Sequence, residues 1–280
     1  MFLDRMSLKK LRNIREANLT LHHKTNVIIG ENAAGKTTLL EAVDILSRGR
    51  SFRTNKTENL VCHGNNSFYV GATLGPDKKK LEIEKSKNRT KISINGKEEK
   101  KQSRLAQELA IQSIHPNSHS LIEGAPSERR AFLDWGLFHV EHEFRKEWSG
   151  YIKILRQRNE ALKSGGGDEK TWMEKLAVSG EIVSSLREKY VLGLEKSIIE
   201  TQKYLMPESE IIFYYEKGWG KDKSFMESLT EKRSLDMDRG YTSSGPQNAD
   251  IKIMLNGKEA QKICSRGQQK LIANIMLLSQ

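Results

Sequence analysis

The sequence predicts an α/β fold that is interrupted by a helical insertion. Three patterns lead to this prediction: a glycine-rich loop between an apolar segment and a helix, a long middle stretch with helical periodicity, and a return to strand patterns after it. Because the strand patterns occur on both sides of the helical stretch, we expect the helices to form an insertion rather than a terminal extension.

The glycine-rich loop spans residues 30–37 and fits the spacing G-x-x-x-x-G-K-[ST] of a phosphate-binding P-loop. Residues 25–29 before it have the pattern of a short buried strand, and residues 38–46 after it have the pattern of a helix. Gly30 and Gly35 allow the backbone to curl, so that N–H groups can point at phosphate oxygens. This context favours a nucleotide site over a chance turn.

Two side chains of the loop have distinct predicted roles. Lys36 supplies a positive charge for the outer phosphates, and Thr37 offers its hydroxyl to Mg²⁺. The helix that follows presents its positive end to the same anion. We therefore expect ATP and Mg²⁺ to be held by Gly30, Glu31, Asn32, Ala33, Ala34, Gly35, Lys36, Thr37 and Thr38.

Composition restricts the possible partners and compartment. The 280 residues include 47 Lys and Arg against 36 Asp and Glu, a net charge of +11, which favours a phosphate-bearing or otherwise anionic partner. Cys62 and Cys264 lie far apart without metal-ligand spacing. No apolar run approaches membrane-spanning length and the N-terminus has no signal-peptide pattern, so we expect a cytoplasmic protein.

Alternating and apolar runs predict a mixed sheet around the loop. A helix is expected over residues 101–112, ending before Pro116. The expected strands cover residues 1–8, 17–21, 68–74, 80–85 and 90–95.

The middle of the chain predicts a helical hairpin, or arm. Apolar residues recur at three- and four-residue steps from 127 to 163 and again from 172 to 207, with the run Gly165, Gly166, Gly167 and Asp168 as the turn between them. After the arm, strands are expected at residues 210–216, 251–255 and 260–263, and a final helix at residues 268–279.

A second phosphate-type motif, residues 265–270, precedes that final helix. Ser265 and Gly267 at a helix start can offer a hydroxyl, an N–H group and the helix dipole to an anion. Taken alone, the same residues also fit an ordinary helix N-cap. The P-loop far upstream and the arm between the two motifs favour the anion site.

These paired motifs, split by a helical arm, resemble the head of an ABC-type ATPase of the SMC and Rad50 group, and more closely the bacterial RecF family. Strings at residues 49–53, 124–134, 157–159 and 245–250 carry the resemblance in the family's order. It implies a P-loop ABC-type ATPase head with an inserted helical arm. The expected regions are residues 1–122 for the first part of the head, 123–207 for the arm and 208–280 for the return to the head.

The resemblance also implies a composite site shared by two copies of the chain. Each ATP would lie between one P-loop and the signature of the partner copy, formed by Ser265, Arg266, Gly267 and Gln268. Gln112 is a candidate for the Q-loop glutamine that senses Mg²⁺ and the attacking water. A surface glutamine at a helix end is an equally good interpretation of Gln112.

The family's function would be an ATP-dependent, sequence-independent DNA clamp in recombinational repair, replication restart and SOS induction. Duplex DNA or duplex–single-strand junctions are the implied ligands, with an ATP-dependent homodimer and the mediators RecR and RecO as partners. The family is a slow, DNA-stimulated ATPase that uses an acidic Walker B strand after the signature. The sequence given ends at Gln280, before such a strand, which predicts weak nucleotide binding and poor hydrolysis.

Two alternatives stay open: another SMC- or Rad50-like ATPase head, and a DNA-binding protein with a vestigial nucleotide site. For DNA, clustered cations suffice, because phosphate contacts carry no sequence information. The candidate cations are Lys9, Lys10, Arg12, Arg15, Lys78, Lys79, Lys80, Lys85, Lys87, Arg89, Lys91, Lys97, Lys100 and Lys101.

Overall fold

The computed structural model describes residues 1–165 and 167–280 and shows two compact units, Met1–Ser113 and Ile114–Gln280. Gly166, part of the predicted glycine turn, lies outside the described residues. The three-part division into residues 1–122, 123–207 and 208–280 stays a prediction.

The first unit is built on a six-stranded sheet with the order β2-β1-β3-β4-β5-β6. All five neighbouring pairs are antiparallel, so the strands predicted at residues 1–8, 17–21, 68–74, 80–85 and 90–95 are confirmed but the predicted mixed sheet is wrong. Short turns such as Asn95-Gly96, both with positive φ, connect β1 to β2 and each strand from β3 to β6 to the next, and turns of this kind join antiparallel neighbours. The strands are β1 Phe2–Leu11, β2 Ile14–Thr20, β3 Ser67–Gly75, β4 Lys79–Ser86, β5 Thr90–Ile94 and β6 Lys97–Glu99.

One face of this sheet packs against α1 Lys36–Arg48, and α2 Ser103–Glu108 packs against α1 and adds Leu105 to the same core. Alternate strand residues such as Val70 and Ile83 point to this face and are fully buried, as the two-residue period of a strand requires. The predicted helix after the P-loop is confirmed. The helix predicted over residues 101–112 is shorter, because Leu109 has an extended backbone and ends α2.

The strand predicted at residues 25–29 is wrong. This segment has no strand structure, and Val27 and Ile29 are 76% and 88% exposed. A strand needs a neighbouring backbone to accept and donate its hydrogen bonds. In the described chain the edge strand β2 pairs only with β1, so an apolar, β-branched composition alone does not produce a strand here.

The second unit combines helices with an antiparallel sheet of order β7-β8-β9. Its strands are β7 Ile211–Glu216, β8 Asp250–Leu255 and β9 Lys258–Glu259. Its helices are α3 Ser120–Glu123, α4 Pro126–Val140, α5 Phe144–Lys163, α6 Glu169–Leu205, α7 Phe225–Glu231, α8 Arg233–Arg239, α9 Ala260–Ile263 and α10 Arg266–Ser279.

The predicted helical hairpin is present as α5 packed against α6. The latter has 37 residues, about 55 Å at 1.5 Å per residue. The first long helix of the prediction is instead broken at residues 141–143 into α4 and α5. Residues 260–263 form the short helix α9 and not the predicted strand. The strand β9 is only two residues long and ends at Glu259, directly before this helix.

A buried ion-pair network holds three helices of the second unit together. Arg158 of α5 contacts Glu169 of α6 at 2.8 Å and Asp236 of α8 at 2.9 Å, and all three side chains are fully buried. Arg233, which is half-exposed, donates to the second oxygen of Glu169 at 2.8 Å. Two arginines therefore balance two carboxylates, as burial of charge requires.

Polar side chains on the buried face of α1 anchor this helix to the segment that follows α2. The Ser47 hydroxyl donates to the carbonyl of Leu109 at 2.6 Å, and the Ser113 hydroxyl lies 3.4 Å from the Asp44 carboxylate. Arg48 is 3.3 Å from the same carboxylate. Burial nevertheless dominates and raises the pKa of Asp44 to about 6.

We expect Arg158→Leu to destabilise the second unit by about 3–5 kcal/mol, because it leaves the buried Asp236 without an ion-pair partner and Glu169 with Arg233 alone. Urea unfolding followed by circular dichroism measures the change. The exposed Arg156 on the same helix is the matched control, and Arg156→Leu should change the unfolding free energy by less than about 0.5 kcal/mol. Equal losses in the two variants would contradict the buried-network interpretation.

We expect the free energy of unfolding of the Asp44→Asn variant, relative to that of the wild type, to increase as the pH rises. Because the folded-state pKa of Asp44 lies above the usual value near 3.9, its charged form destabilises the folded state, and this penalty disappears as the pH falls through about 6 towards 4. Urea midpoints at pH 4.5 and 7.5 measure the difference between variant and wild type. The exposed Asp77→Asn is the control, and a pH-independent effect of Asp44→Asn would refute the prediction.

Candidate functional site

The P-loop is an exposed coil that becomes buried at Gly35, where α1 begins. Ala33 and Gly35 have positive φ angles of 65° and 98°, whereas Gly30 does not have a positive φ angle. A Cβ atom at Gly35 would lie 3.3 Å from Ile14, so the loop passes close to β2 at this point. The loop therefore turns at Gly35 as predicted, with its other left-handed residue at Ala33 instead of Gly30; its role in holding phosphate stays a prediction.

The charged and hydroxyl groups of the loop are placed for an anion and a cation. The Lys36 ammonium donates to the carbonyls of Gly30 and Glu31 at 2.8 and 2.7 Å, which holds its charge across the loop. No side chain caps the start of α1, so its first N–H groups are open to a ligand. Thr37 is exposed, and its hydroxyl forms no hydrogen bond within the described chain. This donor set fits a phosphate group with an accompanying Mg²⁺.

The sequence analysis did not identify Asn13, which supports the loop from the turn between β1 and β2. Its amide donates to the carbonyl of Ala33 at 2.8 Å, and its carbonyl oxygen accepts from the Thr38 hydroxyl at 3.1 Å. Asn13 therefore links the left-handed residue of the loop to the first turn of α1. A polar residue in a tight turn was the only sequence signal, and it gives no indication of this long-range partner.

Glu41, fully buried in α1, connects the P-loop helix to the string at residues 49–53. It accepts hydrogen bonds from Arg12 at 2.7 and 3.1 Å, from Ser51 at 2.6 Å and from Arg53 at 3.3 Å. Burial disfavours the charged form, but hydrogen bonds from Arg12 and Ser51 outweigh it, so the pKa of Glu41 stays below its ordinary value. Arg12, a candidate DNA contact, is thus engaged in a buried ion pair.

The signature residues lie at the start of α10. Ser265 is the N-cap: its hydroxyl accepts from the Gln268 N–H at 3.3 Å, while the Gln268 side chain accepts from the Ser265 N–H at 2.9 Å. Both side chains are exposed, as are Arg266 and Gly267. The N-cap interpretation is therefore correct, and it leaves the same helix end accessible to an anion.

Two of the strings that carry the resemblance come together in the second unit. Arg129 of α4 forms a two-pronged pair with Asp250 of β8, at 2.6 and 2.9 Å. Its neighbour Arg130 donates to the carbonyl of Ala249 at 2.8 Å. The strings at residues 124–134 and 245–250 are thus two sides of one contact.

A second arginine pair reinforces the same contact. Arg187 of α6, fully buried, meets Asp134 of α4 at 2.9 and 3.0 Å and donates to the carbonyl of Pro246 at 2.6 Å. Its guanidinium also lies 4.6 Å from the ring centroid of Trp148 on α5. Fixed arginine forks therefore set the position of the loop that precedes β8.

Gln112, the Q-loop candidate, is exposed and lies in the coil after α2. Its immediate neighbour Ser113 contacts Asp44, so the segment that carries Gln112 is tied to the P-loop helix. Its role stays a prediction.

The basic candidates of the first unit fall into two groups. Lys9, Arg12, Lys78, Lys79 and Lys87 form ion pairs, and Lys85 is partly buried and donates to the carbonyl of Gly49. The other candidate cations form no ion pair within the described residues: Lys10, Arg15, Lys80, Arg89, Lys91, Lys97, Lys100 and Lys101. None of the described helices is long and apolar enough to cross a membrane.

Comparison with known proteins gives a consistent result. The family model described as the RecF/RecN/SMC N terminal domain matches residues 2–280. A DNA replication and repair protein RecF from Psychromonas ingrahamii is 37% identical over 100% of this chain and 80% of its own length. The corresponding protein from Chromohalobacter salexigens is 34% identical over 99% of this chain and 79% of its own length.

The solved structures agree with the sequence matches. The chain superposes on a structure of the recombination mediator protein RecF-ATP in the RecFOR pathway with a TM-score of 0.91 and 28% identity, covering 99% of this chain and 79% of the other. An Smc head domain from Pyrococcus furiosus, 13% identical with a TM-score of 0.57, shares the fold and covers 99% and 78% of the two chains. The chain therefore belongs to the RecF family and has the fold of an ABC-type ATPase head.

Proposed function

We propose that this chain is an ATP-dependent, sequence-independent DNA-binding clamp that acts in recombinational repair, replication restart and SOS induction in the cytoplasm. The observation that carries the proposal is the P-loop cradle, with the Lys36 ammonium held across it at 2.8 and 2.7 Å from two loop carbonyls. The high similarity to a RecF-ATP structure supports the same ligand.

ATP would bind along residues 30–38, with its phosphates on the open N–H groups at the start of α1. Lys36 would exchange its two carbonyl contacts for the outer phosphates, and Asn13 would keep the loop in its curled shape. Thr37 would hold Mg²⁺, which neutralises phosphate charge when bound. Gln112 is the candidate for sensing this metal ion.

The second half of the site would come from another copy of the chain. Ser265, Gly267 and the open end of α10 offer an anion-binding surface of the same kind as the P-loop, and we propose that they meet the γ-phosphate of the partner's nucleotide. ATP would then link the two copies, because part of its binding energy is available only in the dimer. The binding of ATP, and not its hydrolysis, would close the clamp.

Duplex DNA or a duplex–single-strand junction would be held by phosphate contacts alone. The cations of the first unit that have no ion pair support this role, since phosphate contacts give affinity without base recognition. RecR and RecO are proposed as partners because the similar RecF-ATP structure is assigned to the RecFOR pathway.

We expect Lys36→Met to abolish both ATP binding and ATP-dependent dimerisation, and Ser265→Ala to abolish only dimerisation. Lys36 would act within one copy, whereas Ser265 would act on the nucleotide of the other. Binding of fluorescent ATP with Mg²⁺ and light scattering with and without ATP separate the two effects in the intact protein.

The matched control is Ser224→Ala, because Ser224 forms the same capping box with Glu227 at the start of α7. Both serine variants should lose about 1 kcal/mol of stability through the missing cap. Unchanged dimers in Ser265→Ala would overturn the shared-site proposal. Absence of saturable ATP binding by the wild type would favour the vestigial-site alternative.

We expect the triple variant Lys97→Ala, Lys100→Ala and Lys101→Ala to weaken duplex binding for every sequence tested. The slope of log affinity against log salt should fall by about 0.9 for each phosphate that the variant no longer neutralises. Fluorescence anisotropy over 50–200 mM salt, a range in which phosphate interactions dominate, measures this change. Alanine at the exposed Lys189, Lys196 and Lys203 of α6 makes the same charge change and should leave the slope unaltered.

A further inference from the structure

Helix α6 carries a row of apolar side chains that the rest of the chain does not cover. Its exposed aliphatic residues are Val178 at 67%, Ile182 at 42%, Leu192 at 66% and Ile199 at 46%. All four lie on one line along the helix, which we call the outer seam. Its positions follow alternating three- and four-residue steps through 175, 178, 182, 185, 189, 192, 196, 199 and 203, and every one of them is exposed. The residues that α6 buries lie outside this line.

Charged residues repeat every seven positions along the same face. Lysines lie in the outer seam at 175, 189, 196 and 203, and glutamates lie directly beside it at 174, 181, 188 and 195. Glu and Lys on a solvated helix often stand four residues apart, where they can pair with each other. Here they are adjacent in sequence, and none of them forms an ion pair within the part of the chain that the structure describes. A seven-residue repeat of apolar and charged positions is the pattern of helices that pack along each other.

The outer seam borders a groove between α5 and α6 in the N-terminal half of α6. The groove encloses about 620 Å³ and has a largely apolar lining, and its volume lies in the range of roughly 300–1,000 Å³ that is usual for ligand pockets. Val178 and Ile182 line it from α6, and Gly150 and Ile154 line it from α5. A Cβ atom at Gly150 would meet nothing within 4 Å, so α5 leaves room for an incoming side chain. A groove of this kind between two helices can accept the apolar ridge of a third.

The charge pattern decides between the possible occupants of the outer seam. Its lysines are matched by as many glutamates, so the face does not select an anionic membrane or a nucleic acid. A parallel second copy would place each lysine of the seam against its own counterpart. An antiparallel copy would place the two rows of glutamates side by side. Both arrangements bring like charges together, which acts against pairing of the chain with itself.

From this pattern we infer that the outer seam binds an amphipathic helix of another protein. Apolar residues of that helix would cover Val178, Ile182, Leu192 and Ile199, the first two at the groove. Its glutamates would face the lysines of the seam, and its lysines or arginines would face the glutamates beside the seam, as in coiled coils of two different chains. The surface uses no residue of the proposed nucleotide site, so the inference does not depend on ATP binding.

The test uses the intact protein and a fluorescein-labelled helical peptide of about four heptads. The peptide carries leucine opposite the aliphatic positions, glutamate opposite the lysines and lysine opposite the glutamates. We expect saturable binding in fluorescence anisotropy, and binding weaker by about tenfold or more in Lys189→Glu with Lys196→Glu, which turns two attractions into repulsions.

A second peptide, with lysine at the two places that face residues 189 and 196, makes the test specific for contact at these positions. It should bind the wild type poorly and restore the affinity of Lys189→Glu with Lys196→Glu. A variant that had merely lost its fold would regain no binding, so the recovery reports the pairwise interaction.

The matched control is Lys221→Glu with Lys258→Glu, which makes the same charge change at two exposed lysines outside α5 and α6. This control should alter the affinity for the first peptide by less than about twofold, the size of a remote surface effect. No saturable binding to the wild type would overturn the inference, as would equal losses in the two double variants. Wild-type dimers that form without ATP in light scattering, and that are lost in Leu192→Asp, would instead assign the seam to a second copy and also overturn it.

Discussion

Buried charges that must be paired determine how this molecule is assembled. Arg158 and Arg187 are each fully buried, and each is matched to carboxylates on other helices. Arg129 makes an equivalent pair with Asp250. An unpaired buried charge costs several kcal/mol, so each pair admits one arrangement of the elements that carry it. The strings at residues 124–134, 157–159 and 245–250, which carry the family resemblance, contribute Arg129, Asp134, Arg158 and Asp250 to these pairs.

In the candidate site, helix α1 also carries a buried charge that must be paired. Its N-terminus forms the phosphate end of the P-loop, while Glu41 is held by two arginines on its buried side. One turn further on, Asp44 and Ser47 attach it to the segment that carries Gln112. The proposed phosphate cradle, the turn at Arg12 and Asn13, and the proposed Q-loop segment therefore share one rigid support. A change at any of these contacts would therefore alter the proposed nucleotide site from a distance.

The surface charge of the first unit is positive in some regions and negative in others. Several of its cations are already paired with carboxylates, so net charge overstates the surface available to DNA. The cations without an ion pair include three close to β6, whereas the open sheet face between β3 and β6 is acidic. A chain of charge +11 thus carries an acidic region on the open face of this sheet.

The sequence by itself determined the helices that follow the two proposed phosphate motifs, the α5–α6 hairpin and most strands, because spacing and periodicity are local properties of the chain. It did not determine partners far apart in sequence: Asn13 with Ala33, Arg158 with Asp236, or the register that gathers Glu82, Glu84 and Glu98. It also predicted a strand at residues 25–29 that the structure does not contain, since apolar composition cannot supply a pairing neighbour. Long-range pairing of charges and backbones was decided only by the tertiary structure, because burial alone makes an unpaired group costly.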